Sequence, residues 1–199
     1  MTYSQESRNQ IIADGPFGET VARYLRLAGA ATMGAVIVRA SWRDVPAEDE
    51  ALASTALALG VPWLSIVHAT PFVRVGPAYL PGRGPCLACY RARLAQHSAD
   101  PVVRDPLLDA ALECSSELGV AGFPPHVAAL AAGLALTAVA ELTRSCGESR
   151  PSLMSIIDCR TAEVQSWRLT AVHGCAGCDR SEPVRRVAAG LDRIRQAIS

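Results

Sequence analysis

The residues best equipped for chemistry in this chain are sulfurs. Two Cys-x-x-Cys pairs lie far apart in the 199 residues: Cys86-Leu-Ala-Cys89, within Gly82-Arg-Gly-Pro-Cys-Leu-Ala-Cys-Tyr-Arg, and Cys175-Ala-Gly-Cys178, preceded by His173-Gly174. A two-residue spacer lets neighbouring thiolates turn toward one metal ion, and two such knuckles supply the four soft ligands that tetrahedral zinc prefers. One pair alone reads equally as a redox motif. Two pairs, each beside Gly or Pro, read as a structural zinc site of Cys86, Cys89, Cys175 and Cys178, the plainer alternative being two unrelated buried or redox pairs. Such a metal would tie a long internal segment into one unit. Structural zinc is worth on the order of 10 kcal/mol, as much as a whole domain's net stability.

Other reactive side chains carry weaker signals. Cys114 is the one candidate nucleophile, but no base stands near it in sequence, and a buried structural cysteine is the better reading. Cys146 and Cys159 have no partner spacing. His173 is read as a loop residue that would at most assist the second knuckle, and His68 and His126 as core or capping histidines. Arg91 and Arg93 follow the first knuckle, where an acidic or peptide partner and a solvated helix face explain them equally.

The elements that must position these groups alternate in type. Gln10-Ile-Ile-Ala-Asp-Gly-Pro-Phe-Gly-Glu-Thr-Val-Ala-Arg-Tyr-Leu reads as a strand, a tight glycine turn and an amphipathic helix. This is the shape of a mononucleotide-binding opening, in which Gly15 and Gly18 let backbone approach a phosphate and Asp14 contacts a ribose or caps the helix; capping is favoured. The full Gly-x-Gly-x-x-Gly is not met, because Ala13 stands where the first glycine belongs. Buried strands are expected at 34–40 and 62–68, an extended stretch at 72–80, and helices at 49–59, 90–96 and 107–118. The most apolar helix, 126–143, is expected to be buried in a core or a subunit interface, and to be short for a membrane span. Two strands follow around an Arg160-Thr161 turn, and Pro183 to Ile198 is amphipathic, with Val184, Val187, Leu191, Ile194 and Ile198 on one face. Strand–helix alternation predicts an α/β fold with a parallel-rich sheet. The expected organisation is a tail at 1–9, a zinc-containing domain at 10–182 and a C-terminal helix at 183–199.

Composition narrows the function classes. Half the residues are apolar, 19% are charged and the formal net charge is zero. A sizeable core is therefore available, and no basic, aromatic-interleaved stretch suggests nucleic acid. No secretory signal or uninterrupted membrane span is read. Cysteine usage suits a reducing cytoplasm. All 19 basic residues are arginine, which removes any mechanism that needs a lysine.

In order, these features resemble the ThiF/MoeB superfamily, the bacterial relatives of ubiquitin-activating enzymes. Cys114-Ser-Ser-Glu-Leu-Gly-Val-Ala-Gly looks like the segment ahead of that superfamily's long helix, and Glu141 sits where the helix bears a glutamate. A narrower likeness lies in Gly60-Val-Pro-Trp-Leu and Val75-Gly-Pro-Ala-Tyr-Leu-Pro-Gly-Arg-Gly-Pro-Cys-Leu-Ala-Cys-Tyr-Arg-Ala-Arg. It is similar to the ThiF-like partners of YcaO-type cyclodehydratases, which form thiazoline and oxazoline rings on ribosomal peptides, including antibiotics of the thiopeptide kind.

What this resemblance implies is tempered by two departures. The chain passes from the first helix almost directly to the Val36-Ile-Val strand, so the segment that should hold the phosphate- and ribose-binding groups is missing. With no lysine to neutralise a leaving pyrophosphate, no adenylylation is expected. Only about ten residues precede the first strand, so a winged-helix leader-binding domain is expected to be absent; leader peptide would then be bound in a different way, or a separate chain would supply that module. The implied function is a non-adenylating partner of a YcaO cyclodehydratase that assists presentation of the precursor peptide, as a homodimer, with structural zinc as cofactor. The alternatives are an ATP-dependent adenylyltransferase of ThiF/MoeB type and a zinc-stabilised interaction domain outside this pathway.

Overall fold

The computed structural model describes residues 10–29, 36–81, 85–97, 111, 114, 118–144, 152–172 and 175. Within them the chain forms β1 (Gln10–Asp14), α1 (Gly15–Leu27), β2 (Ile37–Ser41), α2 (Pro46–Leu59), β3 (Trp63–Ala69), β4 (Phe72–Tyr79), α3 (Leu87–His97), α4 (Pro125–Arg144), β5 (Ser152–Asp158) and β6 (Val164–Leu169). The six strands form one sheet in sequence order. β1, β2 and β3 are parallel, and β4, β5 and β6 continue as an antiparallel meander. The expected α/β architecture is present, with its parallel character confined to the first half.

Strand alternation divides the core between two faces. On one, Val36, Val38, Ala40, Leu64, Ile66, Val73, Val75 and Ile157 meet Phe17, Val21 and Leu25 of α1 and the alanine stripe of α4. On the other, Ile37, Trp63 and Tyr79 meet Leu52 and Ala56 of α2 and Leu87 and Cys89 of α3. The crossovers β1–α1–β2 and β2–α2–β3 step the same way across the sheet but on opposite faces. They therefore have opposite hands, whereas such crossovers are right-handed in about 98% of cases.

The α4 helix corrects one expectation. It runs 20 residues, and Pro125–Leu142 is long and apolar enough, by length and composition, to cross a membrane. Yet it is buried along one face only, through Val127, Ala128, Ala131, Ala132, Ala135, Ala138 and Val139. The small side chains recur every three or four residues and let α4 lie close on the sheet and α1.

Candidate metal centre and the closed crevice

Cys86 ends the approach to α3 and Cys89 lies in its first turn, closed by the Tyr90 backbone N–H donating to the Cys86 carbonyl. Cys175 arrives from the far side, just beyond β6. The Cys86 Sγ lies 3.8 Å from Cys89 Sγ and 3.5 Å from Cys175 Sγ, and all three sulfurs are within 4.8 Å of one another. These separations are too long for a disulfide, whose sulfurs stand about 2.05 Å apart. They match the edge of a thiolate tetrahedron, about 3.8 Å for metal–sulfur bonds of 2.3 Å.

The surroundings suit the same purpose. Cys86 and Cys89 are buried and Cys175 is half-buried. Tyr79, Leu87, Ala171 and Val172 exclude water around them, and the Val172 N–H donates to Cys89 Sγ at 3.3 Å. A backbone donor and a helix N-terminus both stabilise thiolate charge. The three cysteines can hold a metal ion. Cys178, His173 and Cys146 lie outside the described residues.

Beside this cluster lies a buried ionic network that reading the sequence missed. Asp49, 2% exposed, accepts from Arg39 Nη1 at 3.0 Å, from Arg74 Nη2 at 3.0 Å and from Ser65 Oγ at 3.3 Å. Arg39 also pairs with Glu48 and Arg74 with Asp44 at 3.7 Å. Burial works against the Arg74 charge, but Tyr90, Asp49 and Asp44 outweigh it and raise its pKa. Its guanidinium stacks 5.2 Å from the Tyr90 ring centroid, so α2, the sheet and the cysteine-bearing helix are locked together. The signal was available: Arg39 and Arg74 each interrupt a run of buried apolar strand residues, and such charges need partners.

The second constellation is the crevice at the carboxyl ends of β1, β2 and β3, where nucleotide folds bind phosphates. Gly15 has φ +66° at the head of α1, as a glycine turn requires. A Cβ built on it would sit 2.2 Å from Cδ1 of Trp42, and one on Gly119 would sit 2.9 Å from Cζ3 of the same ring. Trp42 thus occupies the space that a phosphate would need against the Gly15 backbone, and Arg43 lies over the indole at 5.7 Å. Behind it His68 stacks on Phe17 at 5.2 Å, and burial lowers its pKa. Gly18 serves packing instead, since a Cβ there would meet the Ala40 carbonyl oxygen at 2.2 Å. A phosphate placed against the Gly15 backbone would have to displace the Trp42 indole.

Several expectations on single residues need correction. Asp14 stands at the N-cap of α1 but makes no side-chain capping bond. Its carboxylate accepts from Ser41 Oγ at 3.0 Å, because the end of β2 lies beside it and competes for it. Cys114 is exposed rather than buried, and His126 is exposed at the start of α4. His68 is a core histidine as read, and Cys159 packs partly buried against the first core cluster. Arg91 and Arg93 are half-buried: Arg91 pairs with Glu50, while Arg93 reaches Gln96 at 3.2 Å. Glu141 pairs with Arg168 of β6 at 3.2 Å.

No protein-family model and no curated protein matches the chain. Solved structures do. The heterocyclase TruD superposes over 92% of this chain with a TM-score of 0.60 at 19% identity. A heterocyclase in complex with substrate and cofactor superposes over 87% with a TM-score of 0.57 at 17% identity. The microcin C7 biosynthetic enzyme MccB, in complex with N-formylated MccA, superposes over 77% with a TM-score of 0.50 at 15% identity. The chain spans 29%, 26% and 44% of those proteins. The sheet, its two helical layers and these likenesses together give the chain a reduced, Rossmann-like α/β fold of the kind seen in these heterocyclases and in MccB.

Proposed function

We propose that this chain is a non-adenylating ThiF-type partner of a YcaO-type cyclodehydratase, which it supports in forming azoline rings on a ribosomal precursor peptide. The observation that carries the reading is the Trp42 side chain filling the crevice against Gly15. A nucleotide fold whose phosphate site is packed with an indole keeps its value as a scaffold. The likeness to heterocyclases over nearly the whole chain supports the pathway, and the missing lysine supports the absence of a phosphate-charge stabiliser.

In this reading Cys86, Cys89 and Cys175, with Cys178 as fourth ligand, hold structural zinc. The ion supplies no reaction chemistry; it fixes the start of α3 against the end of β6. The protein works in the cytoplasm as a homodimer, and a separate leader-binding chain brings the peptide.

The test is reconstitution. Purified chain, a YcaO protein and its precursor peptide are expected to yield peptide that has lost one water per ring, only when both proteins are present. The chain alone is expected to catalyse no ATP–pyrophosphate exchange. Exchange activity, or unchanged cyclisation without this chain, would overturn the proposal.

A further inference from the structure

The two faces of the sheet are not equally covered. On the face that carries α2 and α3, the described helices reach only as far as β4. Two helices about 10 Å wide cover roughly four strands spaced about 4.8 Å apart, and the sheet has six. Over β5 and β6 this leaves a groove of about 490 Å³ whose walls include Tyr90, Leu94, Met154, Ile156, Trp167 and Leu169. Trp167 is 44% exposed and Leu94 likewise 44%. An apolar floor of this kind, rimmed by Arg93 and Arg168, marks a docking surface.

We propose that its occupant is the chain's own residues 183–198, lying as a helix along β5 and β6 with Val187, Leu191 and Ile194 against the groove. Three observations converge on this segment. Its aliphatic residues, Val184, Val187, Leu191, Ile194 and Ile198, recur at intervals of three and four, the seam of one helix face. Its sixteen residues would span about 24 Å as a helix, and the seven residues of β5 span about 23 Å.

The third observation is where the chain comes from. Thr170 lines the groove, and Cys175 is held beside Cys86 at the head of α3. From there Leu94 lies about 10 Å along the helix. The seven intervening residues, 176–182, reach about 25 Å when extended. A tether that short holds the segment at an effective concentration in the millimolar range, which favours it over a free partner of ordinary affinity. Arg185, Arg186 and Arg193 would face water. The inference is independent of the proposed function, since it concerns only how the chain covers its own sheet.

The experiment uses the full chain labelled with 13C-methyl methionine. Of its three methionines Met154 is the one that lines the groove among the described residues. Leu191→Asp with Ile194→Asp is expected to move the Met154 methyl resonance and to increase acrylamide quenching of Trp167, while Arg193→Glu, on the opposite helix face, leaves both unchanged. Leu94→Asp, from the groove side, is expected to reproduce the Met154 shift. Synthetic peptide 183–199 added to the Leu191→Asp/Ile194→Asp chain should restore the wild-type resonance. The proposal is overturned if Met154 is indifferent to the tail substitutions. It is also overturned if the wild-type Met154 resonance changes on dilution together with a fall in mass to that of one chain, which would make a second copy the occupant.

Discussion

Replacing Asp49 with alanine removes the anion that two buried arginines share. Arg39 and Arg74 each donate to it at 3.0 Å, and its side chain is 2% exposed. Breaking a buried pair by deleting one partner costs about 3–5 kcal/mol, chiefly because the remaining charge is stranded. Here each arginine keeps a second carboxylate, Glu48 for Arg39 and Asp44 for Arg74. Those carboxylates are 47% and 36% exposed, so they compensate only in part. The low end applies, about 3–4 kcal/mol, a large share of the ~5–15 kcal/mol that holds most domains together. At about 2–4 °C per kcal/mol for a chain of this size, Asp49→Ala should lower the melting temperature by roughly 6–16 °C. Urea denaturation monitored by far-ultraviolet circular dichroism reads the free energy directly. Arg39→Met/Asp49→Leu, which removes a cation with its anion, should cost less than Asp49→Ala alone. A loss below about 1 kcal/mol, or a double variant no better than the single one, would refute the account of Asp49 as the keystone between α2, the sheet and α3.

Three further outcomes are expected. Cys89→Ser should abolish stoichiometric zinc in purified protein, read by metal analysis, and lower thermal stability; retained zinc would remove Cys89 from the ligand set. Gly18→Ala should cost about 1–3 kcal/mol in urea titration, because the new methyl meets backbone rather than a yielding side chain and must push α1 away from β2. Burial holds the His68 pKa below 6.5, so the unfolded chain binds the extra proton first. Its contribution to stability is intact above pH 6.5 and is lost as the pH falls through the lower folded value. His68→Phe, which keeps the stacking on Phe17, should flatten the dependence of melting temperature on pH below about 6.5; an unchanged slope would show that other groups set it.

Much of the architecture was legible because burial on both faces leaves a simple trace. The runs at 62–68 and 72–80 are apolar almost without interruption, and they became β3 and β4. The Arg160-Thr161 turn between β5 and β6 was readable from its polar residues. The first knuckle and Cys175 came together as their spacing implied. Tertiary competition hid the rest. Asp14 looked like a cap, but Ser41, distant in sequence, takes its carboxylate. Asp49 looked like the start of a helix, whereas α2 begins at Pro46 and buries that carboxylate one turn in. Trp42 carried no signal at all, since nothing in Ser41-Trp42-Arg43 says that the ring folds back over Gly15.

The sheet leaves one assembly problem during synthesis. The chain departs after Tyr79 and rejoins at Ser152 to pair β4 with β5. At about 5–20 residues per second, the ribosome needs roughly 4–14 s to cover that excursion. Throughout it the nascent β4 presents a bare hydrogen-bonding edge, the situation that invites pairing with a neighbouring chain. Cys86 and Cys89 wait longer still, until Cys175 emerges. Production at low temperature, with ample zinc and few ribosomes per message, should therefore raise the soluble yield of a protein whose finished form has no such weakness at β4.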